Sequence, residues 1–307
     1  MLRLGVRPGE TLEDAPAFDV LVGGSEANVA YAAARIGLRA AWVSALPNNS
    51  LGRRVAKTLA AGGVDTSLVQ WIDGGRLGLY FVEMAAAPSV TRILYDRKGS
   101  AISLAGPDIF DWASACDTAF MHVSGITLAI SESGRDVTRR AIQEARRRGA
   151  TVTMDVNYRQ RLWSREAAAS AIRELSPEVD VLVCTAEDAR DVFGAGGDPD
   201  AALERLRSEL GVETVVVTLG KAGAIASQGG KTVRREGHPV ETVDRIGAGD
   251  AFVAGLIWGL IDGSLELGLE RGLAMSALKM TLHGDLFRLD REHVEALLAQ
   301  EGREVGR

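Results

Sequence analysis

Strand-like and helix-like segments alternate along most of this chain, and this alternation limits the possible folds more than any other feature. Four apolar, β-branched segments have the length of buried strands: TAFMHVS (118–124), ATVTMDV (150–156), VDVLVC (179–184) and TVVVTLG (214–220). Helical patterns separate them, from Glu132 to Arg148 and across 186–210, and the upstream NVAYAAARIG, AAWVSAL and LGRRVAKTLAAGG repeat the pairing of helix with strand. Such βαβ units predict an α/β fold with a mostly parallel sheet flanked by helices on both faces.

The interval from about 67 to 103 interrupts this alternation. Its segments SLVQWIDGG, RLGLYFVEM and VTRILYDR are strand-like, are joined by the turn-rich GG and AAPS, and have no helix between them. We interpret the interval as a small β-sheet lid, set apart from the core and able to cover a cleft. An extension of the main sheet is the alternative.

The composition argues against several functional classes. The chain has 307 residues and can bury a large core, but its longest apolar run, 251–261, falls short of the roughly 20 residues that cross a bilayer. We expect no membrane partner and, without an apolar signal-peptide segment, a cytoplasmic protein. Cys116 and Cys184 lie far apart and are expected to be buried packing residues. The formal net charge of −6 argues against a nucleic-acid partner, so any phosphate must be bound by local groups.

The stretch DRIGAGDAFVAGLIWGL (244–260) has the pattern of a phosphate site. Gly247, Ala248 and Gly249 allow a turn that exposes consecutive N–H groups at the start of a helix predicted from Ala251, where the helix dipole favours anions. Asp250 lies at the mouth of this turn and could take a proton from a hydroxyl that attacks a phosphoryl group. An ordinary Asp N-cap after a glycine turn is the alternative.

Two more segments fit a polyhydroxylated ligand and a nucleotide. Gly23 and Gly24 stand at a strand end and Asn28 at a helix start, where backbone and amide groups can bind hydroxyl groups. The turn TLGKAGA (218–224) follows a buried strand and is suited to close backbone approach by a nucleotide. Its candidate residues are Thr218, Gly220 and Gly223.

Together these segments resemble the ribokinase-like (PfkB) carbohydrate kinases, and the resemblance covers almost the whole chain. The family signature D-T-x-G-A-G-D corresponds to DRIGAGD, which has Arg245 where threonine is usual. The resemblance implies one ribokinase-like domain over 1–307, with a lid formed mainly by about 67–103 and a contribution from about 1–22. It also implies ATP and Mg²⁺ as cofactors and a homodimer, or higher homo-oligomer, that associates through the lid.

Within this family the chain is most similar to 2-keto-3-deoxygluconate kinases. The similar segments are YF (80–81), YDRKGSA (95–101), HVSGITLAIS (122–131), DVNYRQRLW (155–163) and HGD (283–285). The resemblance implies that Asp250 is the base and that the acidic sugar is bound by Gly24, Tyr80, Tyr95, Arg97, Arg159 and Asp285. Arginine donors suit a sugar carboxylate, because a hydrogen bond to a charged group contributes about 1.5 to 3 kcal/mol. Solvated arginines and tyrosines that merely pack on the lid are the alternatives.

Two departures from the family pattern stand out. Many members have N-x-x-E after the fourth core strand, where CTAEDA places Thr185 and Asp188, whose oxygens could still orient water on a metal. Family members also usually begin with a core strand before a segment like MLRL, with which this chain opens. If the protein truly begins at this point, a central strand is missing and the buried backbone groups beside it need other partners; a start site placed too late is the alternative.

The sequence thus predicts an ATP-dependent kinase that phosphorylates the terminal hydroxyl of 2-keto-3-deoxygluconate, or of its galactonate epimer, to the 6-phosphate. The adenine is expected near 218–224 and 270–282. A kinase of another sugar, such as fructose or ribose, and a catalytically impaired sugar-binding regulator are the alternatives. A nicotinamide dehydrogenase ranks last, because no GxGxxG follows the first recognisable strand.

Overall fold

The computed structural model describes residues 1–7, 9–84 and 90–304, with side chains described up to residue 300. The strands are β1 (Leu2–Gly5), β2 (Asp19–Val22), β3 (Ser44–Pro47), β4 (Val69–Ile72), β5 (Leu79–Glu83), β6 (Arg92–Asp96), β7 (Phe120–Ser124), β8 (Thr151–Asp155), β9 (Val181–Thr185), β10 (Thr214–Thr218), β11 (Ala224–Gln228) and β12 (Lys231–Arg235). The α-helices are α1 (Ser25–Arg35), α2 (Ser50–Ala61), α3 (Ala101–Leu104), α4 (Trp112–Ala115), α5 (Gly125–Ile130), α6 (Glu132–Arg147), α7 (Arg165–Leu175), α8 (Ala186–Phe193), α9 (Pro199–Leu210), α10 (Ala248–Ile261), α11 (Leu265–Met280) and α12 (Arg291–Glu304). The predicted turn AAPS (86–89) lies outside the described residues.

A six-stranded sheet with the order β12-β11-β10-β9-β8-β7 forms the centre of the molecule. Strands β7 to β10 are parallel, and β11 and β12 extend the sheet in antiparallel fashion. Successive residues of β10 face opposite sides: Val215 and Val217 pack with residues of α6 to α9, whereas Val216 packs with residues of α10 and α11. The predicted mostly parallel sheet with helices on both faces is therefore confirmed.

Two remaining sequence expectations concern the cysteines and the membrane. Cys116 and Cys184 are both buried and form no disulfide, as expected of packing residues. Among the helices in the described part of the chain, none is long and apolar enough to cross a bilayer.

A smaller four-stranded sheet has the order β2-β1-β5-β6. It combines strands from both predicted lid segments, about 1–22 and about 67–103, because β1 pairs antiparallel with β2 and in parallel with β5. One predicted lid strand is placed differently: Val69–Ile72 (β4) pairs in parallel with β3 instead. The reason is the βαβ connection through α2, whose Val55 and Leu59 pack with Val69 in one apolar cluster.

The six-stranded sheet ends at β7. Strands β3 and β4 form a two-stranded sheet of their own, so the predicted strand AAWVSAL does not join the six-stranded sheet. Among the described strands, β7 pairs with β8 alone and β3 pairs with β4 alone, which leaves one open edge on each. Residues of both strands line one cavity of roughly 2320 Å³.

Candidate active site

The predicted phosphate site is a turn that leads into α10. The helix begins at Ala248, earlier than the expected Ala251, because Gly247 adopts the left-handed conformation (φ 87°) at the N-cap. A side chain on Gly247 would overlap the backbone of Asp285, so only glycine permits this contact. Within the described residues no side chain caps the helix. The N–H groups of its first turn are therefore suited to bind an anion.

Asp250 lies in this first turn and faces the cavity, with only 8% of its surface exposed. Its carboxylate accepts hydrogen bonds from the Ser25 hydroxyl (2.9 Å) and from Asn28 Nδ2 (2.7 Å). Burial raises the pKa of Asp250 to about 6, although these two donors favour the charged form. A carboxylate of this kind can be unprotonated at neutral pH and still accept a proton. Its role as the base stays a prediction.

A second layer of hydrogen bonds, which connects Asn157 to Ser25 and Asp155, was not predicted from the sequence. Asn157 Nδ2 donates to Ser25 Oγ and to Asp155 Oδ2, each at 3.1 Å. The backbone of Asn157 is left-handed (φ 41°), a conformation that asparagine tolerates better than most residues. Burial, and then the neighbouring Asp188 and Asp250, raise the pKa of Asp155 to about 8. The polar residues of DVN, directly at the end of a buried strand, were the available signal.

The residues predicted to face the sugar hydroxyl groups come together beside Asp250. The Tyr80 hydroxyl donates to Asp285 Oδ2, and both side chains are buried. The backbone of Gly23 lies against this pair so closely that a methyl group would overlap both. Gly24 is the N-cap of α1, and Asn28 lies in that helix with its Oδ1 buried and unpartnered among the described residues. This oxygen can accept a hydrogen bond from a ligand.

The two predicted carboxylate ligands differ in their surroundings. Arg97 is buried, its guanidinium lies 4.0 Å from the ring centroid of Tyr95, and its Nε and Nη2 have no partner among the described residues. Burial lowers the pKa of Arg97, and the nearby Arg159 lowers it further. Arg159 is exposed and donates to the Tyr158 carbonyl at 2.9 Å. A buried guanidinium without a counter-charge is suited to bind an anion.

The predicted nucleotide segments face the same cavity. Thr218 ends β10, the 3₁₀ turn Gly220–Ala222 follows, and Gly223 leads into β11. Residues of α11 within 270–282 line the same cavity. A Cβ atom on Gly249 would meet nothing within 4 Å, so open space adjoins the first turn of α10. The donors and the space fit a ligand that carries phosphate groups.

The predicted magnesium position is less complete. Asp188 is buried, and burial raises the pKa of its carboxyl. The Thr185 hydroxyl accepts a hydrogen bond from the Asp188 backbone N–H (2.9 Å) and so caps α8. Among the described side chains, no group of three or more His, Cys, Asp or Glu residues is arranged to hold a metal. Asp188 and Asp155 both line the cavity and could contact a hard cation through water.

One cavity brings the predicted site together. Its lining includes every predicted site residue except Gly23, which lies directly behind Tyr80 and Asp285. Strands β5 and β6 of the small sheet contribute one wall, and α10 and α11 contribute another. A parallel α/β sheet, a small second sheet and a glycine turn before a buried aspartate together define the ribokinase-like class of sugar kinases.

Comparisons with known proteins agree with this class. A family model described as pfkB family carbohydrate kinase matches residues 3–290. The chain belongs to the pfkB family and is a carbohydrate kinase. It is 42% identical to the 2-dehydro-3-deoxygalactonokinase of Haloferax volcanii, over 97% of this chain and 94% of that protein.

Two further relatives carry a similar name. The 2-dehydro-3-deoxygluconokinase of Thermoproteus tenax is 37% identical, over 87% of this chain and 82% of that protein. The crystal structure of the 2-dehydro-3-deoxygluconokinase of Thermotoga maritima superposes with a TM-score of 0.89 at 35% identity, covering 97% of this chain and 95% of that one. The resemblance inferred from the sequence motifs is therefore confirmed.

Proposed function

We propose that the protein uses ATP to phosphorylate the terminal hydroxyl of 2-keto-3-deoxygluconate, or of its galactonate epimer, to the 6-phosphate. The names of the relatives support this proposal, because the prefix 2-dehydro-3-deoxy means the same as 2-keto-3-deoxy. The observation that carries it is Arg97, a buried guanidinium with two unpartnered nitrogens on the same cavity as Asp250. A neutral sugar would leave this charge uncompensated, whereas the carboxylate of a sugar acid would pair with it.

In this proposal Asp250 accepts the proton of the sugar hydroxyl as the phosphoryl group moves to the hydroxyl oxygen. Ser25 and Asn28 hold the carboxylate in place through the hydrogen bonds described above. The N–H groups of the first turn of α10, preceded by Gly247, stabilise negative charge on the transferred group. Bound Mg²⁺, near Asp188, would neutralise charge on the phosphates.

The remaining predicted residues divide between the two substrates. Arg97 and Arg159 bind the sugar carboxylate, while the sugar hydroxyl groups are bound by Gly23, Gly24, Asn28, Tyr80, Tyr95 and Asp285. Phosphate groups lie at Gly247 to Gly249, and the adenine lies beside 218–224 and α11. Thr185, at the start of α8, adjoins the phosphates.

We also propose a cytoplasmic homodimer, or higher homo-oligomer, that associates through the small sheet. The outer face of this sheet has an apolar patch: Leu94 is 57% exposed and lies opposite Phe81 on the neighbouring strand, and Phe18 packs edge-on against Phe81. Exposed large apolar side chains that adjoin one another are typical of association surfaces. Sedimentation of the wild type and, separately, of the Leu94→Glu variant would test this arrangement. We expect the wild type to sediment as a dimer or higher oligomer and the variant as a monomer; an oligomer of unchanged mass in the variant would contradict association through this face.

The substrate is tested by measuring ADP release with ATP and Mg²⁺ and one of four sugars. These are 2-keto-3-deoxygluconate, its galactonate epimer, fructose and ribose. We expect turnover of the keto-deoxy acids only, and its loss in Asp250→Asn. Turnover of neutral sugars at equal kcat/KM would contradict the proposal, and saturable sugar binding without ADP release would indicate a sugar-binding regulator.

A matched pair of variants tests the role of Arg97. Arg97→Met should lower kcat/KM for the acid by at least tenfold, because one or more charge-assisted hydrogen bonds of about 1.5 to 3 kcal/mol are lost. Arg139→Met is the control, because Arg139 pairs with Asp136 and Glu174 at the surface. Equal kinetics in the two variants would refute the assignment of Arg97.

A further inference from the structure

Lys279 is a fully buried cation that the proposed mechanism does not use. It lies near the end of α11 with none of its surface exposed. Its Nζ donates to the backbone carbonyls of Asp244 (3.2 Å) and Leu282 (3.3 Å). Burial lowers the pKa of this ammonium group, while Asp244 and Asp285 act in the opposite direction. A lysine is almost never fully buried without such partners.

One of the carbonyls that Lys279 contacts, that of Asp244, belongs to the segment that leads into the phosphate turn. Asp244 opens the segment that leads through Gly247 into α10, and its backbone N–H bonds the Met280 carbonyl at 3.1 Å. Its Oδ1 accepts the Ile246 N–H at 3.0 Å, which shapes the turn from inside. The end of α11 and the start of α10 are thus joined at Asp244.

A second buried cation contacts the same aspartate from the small sheet. Arg3 Nη1 on β1 donates to Asp244 Oδ2 (2.7 Å) and to Asp285 Oδ1 (3.0 Å), and Gly284 N–H also donates to Asp244 Oδ2 (3.0 Å). Arg3 is fully buried as well. Arg3 therefore pairs with both carboxylates, and the charges of Asp244 and Asp285 also act on Lys279. Of these two cations, Arg3 bonds the carboxylates and Lys279 bonds backbone carbonyls.

We propose that Lys279 is a positioning residue: its ammonium is an internal cation that bridges two carbonyls and fixes the turn before α10 in the shape that binds phosphate. A free monovalent cation of similar size could bridge the same carbonyls. The lysine supplies that charge covalently, so its position does not depend on the salt around the protein. This inference rests on the proposed phosphate-binding role of the turn.

The experiment removes the ammonium group of Lys279 by substitution and then supplies ammonium or potassium ions in solution. Lys279→Met keeps an unbranched side chain but removes the charge. Wild type, Lys279→Met and the surface control Lys57→Met are compared in choline chloride, ammonium chloride and potassium chloride at equal ionic strength. ATP affinity is measured by calorimetry and the KM for ATP by ADP release.

We expect the wild type and Lys57→Met to vary less than twofold among the three salts. Lys279→Met should bind ATP at least tenfold more weakly in choline, and ammonium or potassium should restore at least half of the lost affinity. A residue that only fills space would give a defect that no salt repairs. Wild-type affinity of Lys279→Met in choline, or a folded variant that neither cation rescues, would overturn the proposal.

A second variant covers the case in which Lys279→Met fails to fold in every salt. Lys279→Gln retains a donor for one carbonyl and lacks the charge; we expect ATP affinity at least tenfold below that of the wild type in choline. Wild-type affinity in this variant would overturn the proposal. Because calorimetry with ATP needs no sugar, a wrong sugar assignment would leave this test intact.

Discussion

Replacing Ser25 by alanine should raise the pH below which the enzyme loses activity. Asp250 must be unprotonated to accept a proton, and in the free protein burial raises its pKa to about 6 despite the hydrogen bonds from Ser25 and Asn28. The acid limb of the kcat/KM profile of the wild type should therefore have its midpoint near pH 6, since this profile reports the free enzyme.

The size of the shift follows from the lost hydrogen bond. A hydrogen bond to a charged group contributes about 1.5 to 3 kcal/mol, and one pKa unit corresponds to about 1.4 kcal/mol. Without the Ser25 hydroxyl the acid limb should move upward by about one to two units, to between about pH 7 and pH 8. The variant should regain most of its activity in alkaline buffer, because the base itself is intact.

The assay is ADP release at subsaturating sugar from pH 5 to pH 9, with thermal melting at each pH to confirm folding. Ser176→Ala is the control, because the Ser176 hydroxyl is buried, bonds the Leu210 carbonyl (2.8 Å) and does not line the cavity. A folded Ser25→Ala enzyme whose acid limb coincides with that of the wild type would refute the reasoning. Either Asp250 would not be the titrating base, or Ser25 would not stabilise its charge.

Three further predictions concern the surroundings of the site. Arg3→Met removes the cation from two buried carboxylates and should lower the free energy of unfolding by about 3 to 5 kcal/mol in denaturant titrations; a loss below 1 kcal/mol would contradict this. Gly23→Ala places a methyl group against Tyr80 and Asp285 and should raise the KM for the sugar at least tenfold while calorimetric ATP affinity is unchanged; an unchanged sugar KM would argue against the assigned sugar position. Asp155 has a folded-state pKa of about 8, above its ordinary value, so the free energy of unfolding should decrease as pH rises from about 4 to about 8. Asp155→Asn should remove this part of the slope, and an identical slope in the variant would refute the assignment.

The elements with strong local patterns could be predicted from the sequence. Apolar β-branched runs such as 179–184 and 214–220 are buried on both faces of a parallel sheet, so their composition alone indicates their position. Val69–Ile72 is also strand-like in sequence, but its sheet depends on the packing of α2 with β3 and β4, which no local pattern records. Sequence reasoning therefore found the strand and assigned it to the wrong sheet.

The residues of the site also fall into two groups: those that a local motif predicts and those that only the tertiary structure brings together. Asp250 and Gly247 lie in one short motif, so residues that are close in the sequence are also close in the structure. The contact of Arg3 with Asp244 joins residues 241 positions apart, and that of Asn157 with Ser25 spans 132 positions. An arginine in a short strand normally reaches solvent, so nothing local indicates that this one is buried. Such residues become identifiable only when tertiary structure brings their partners together.

The first turn of α1 connects recognition of the sugar with the state of the base. The Asn28 amide has two ends: Nδ2 donates to Asp250, and Oδ1 is buried and directed to no described partner. A sugar hydroxyl that donates to Oδ1 would leave the bond from Nδ2 intact, because an amide can donate and accept at the same time. The sugar and the carboxylate would then be held by one rigid group. In Asn28→Asp the Nδ2 donor is replaced by a second carboxylate, so the pKa of Asp250 should rise and sugar binding should weaken together. A variant that lost only one of these properties would separate the two roles and show that they depend on different atoms.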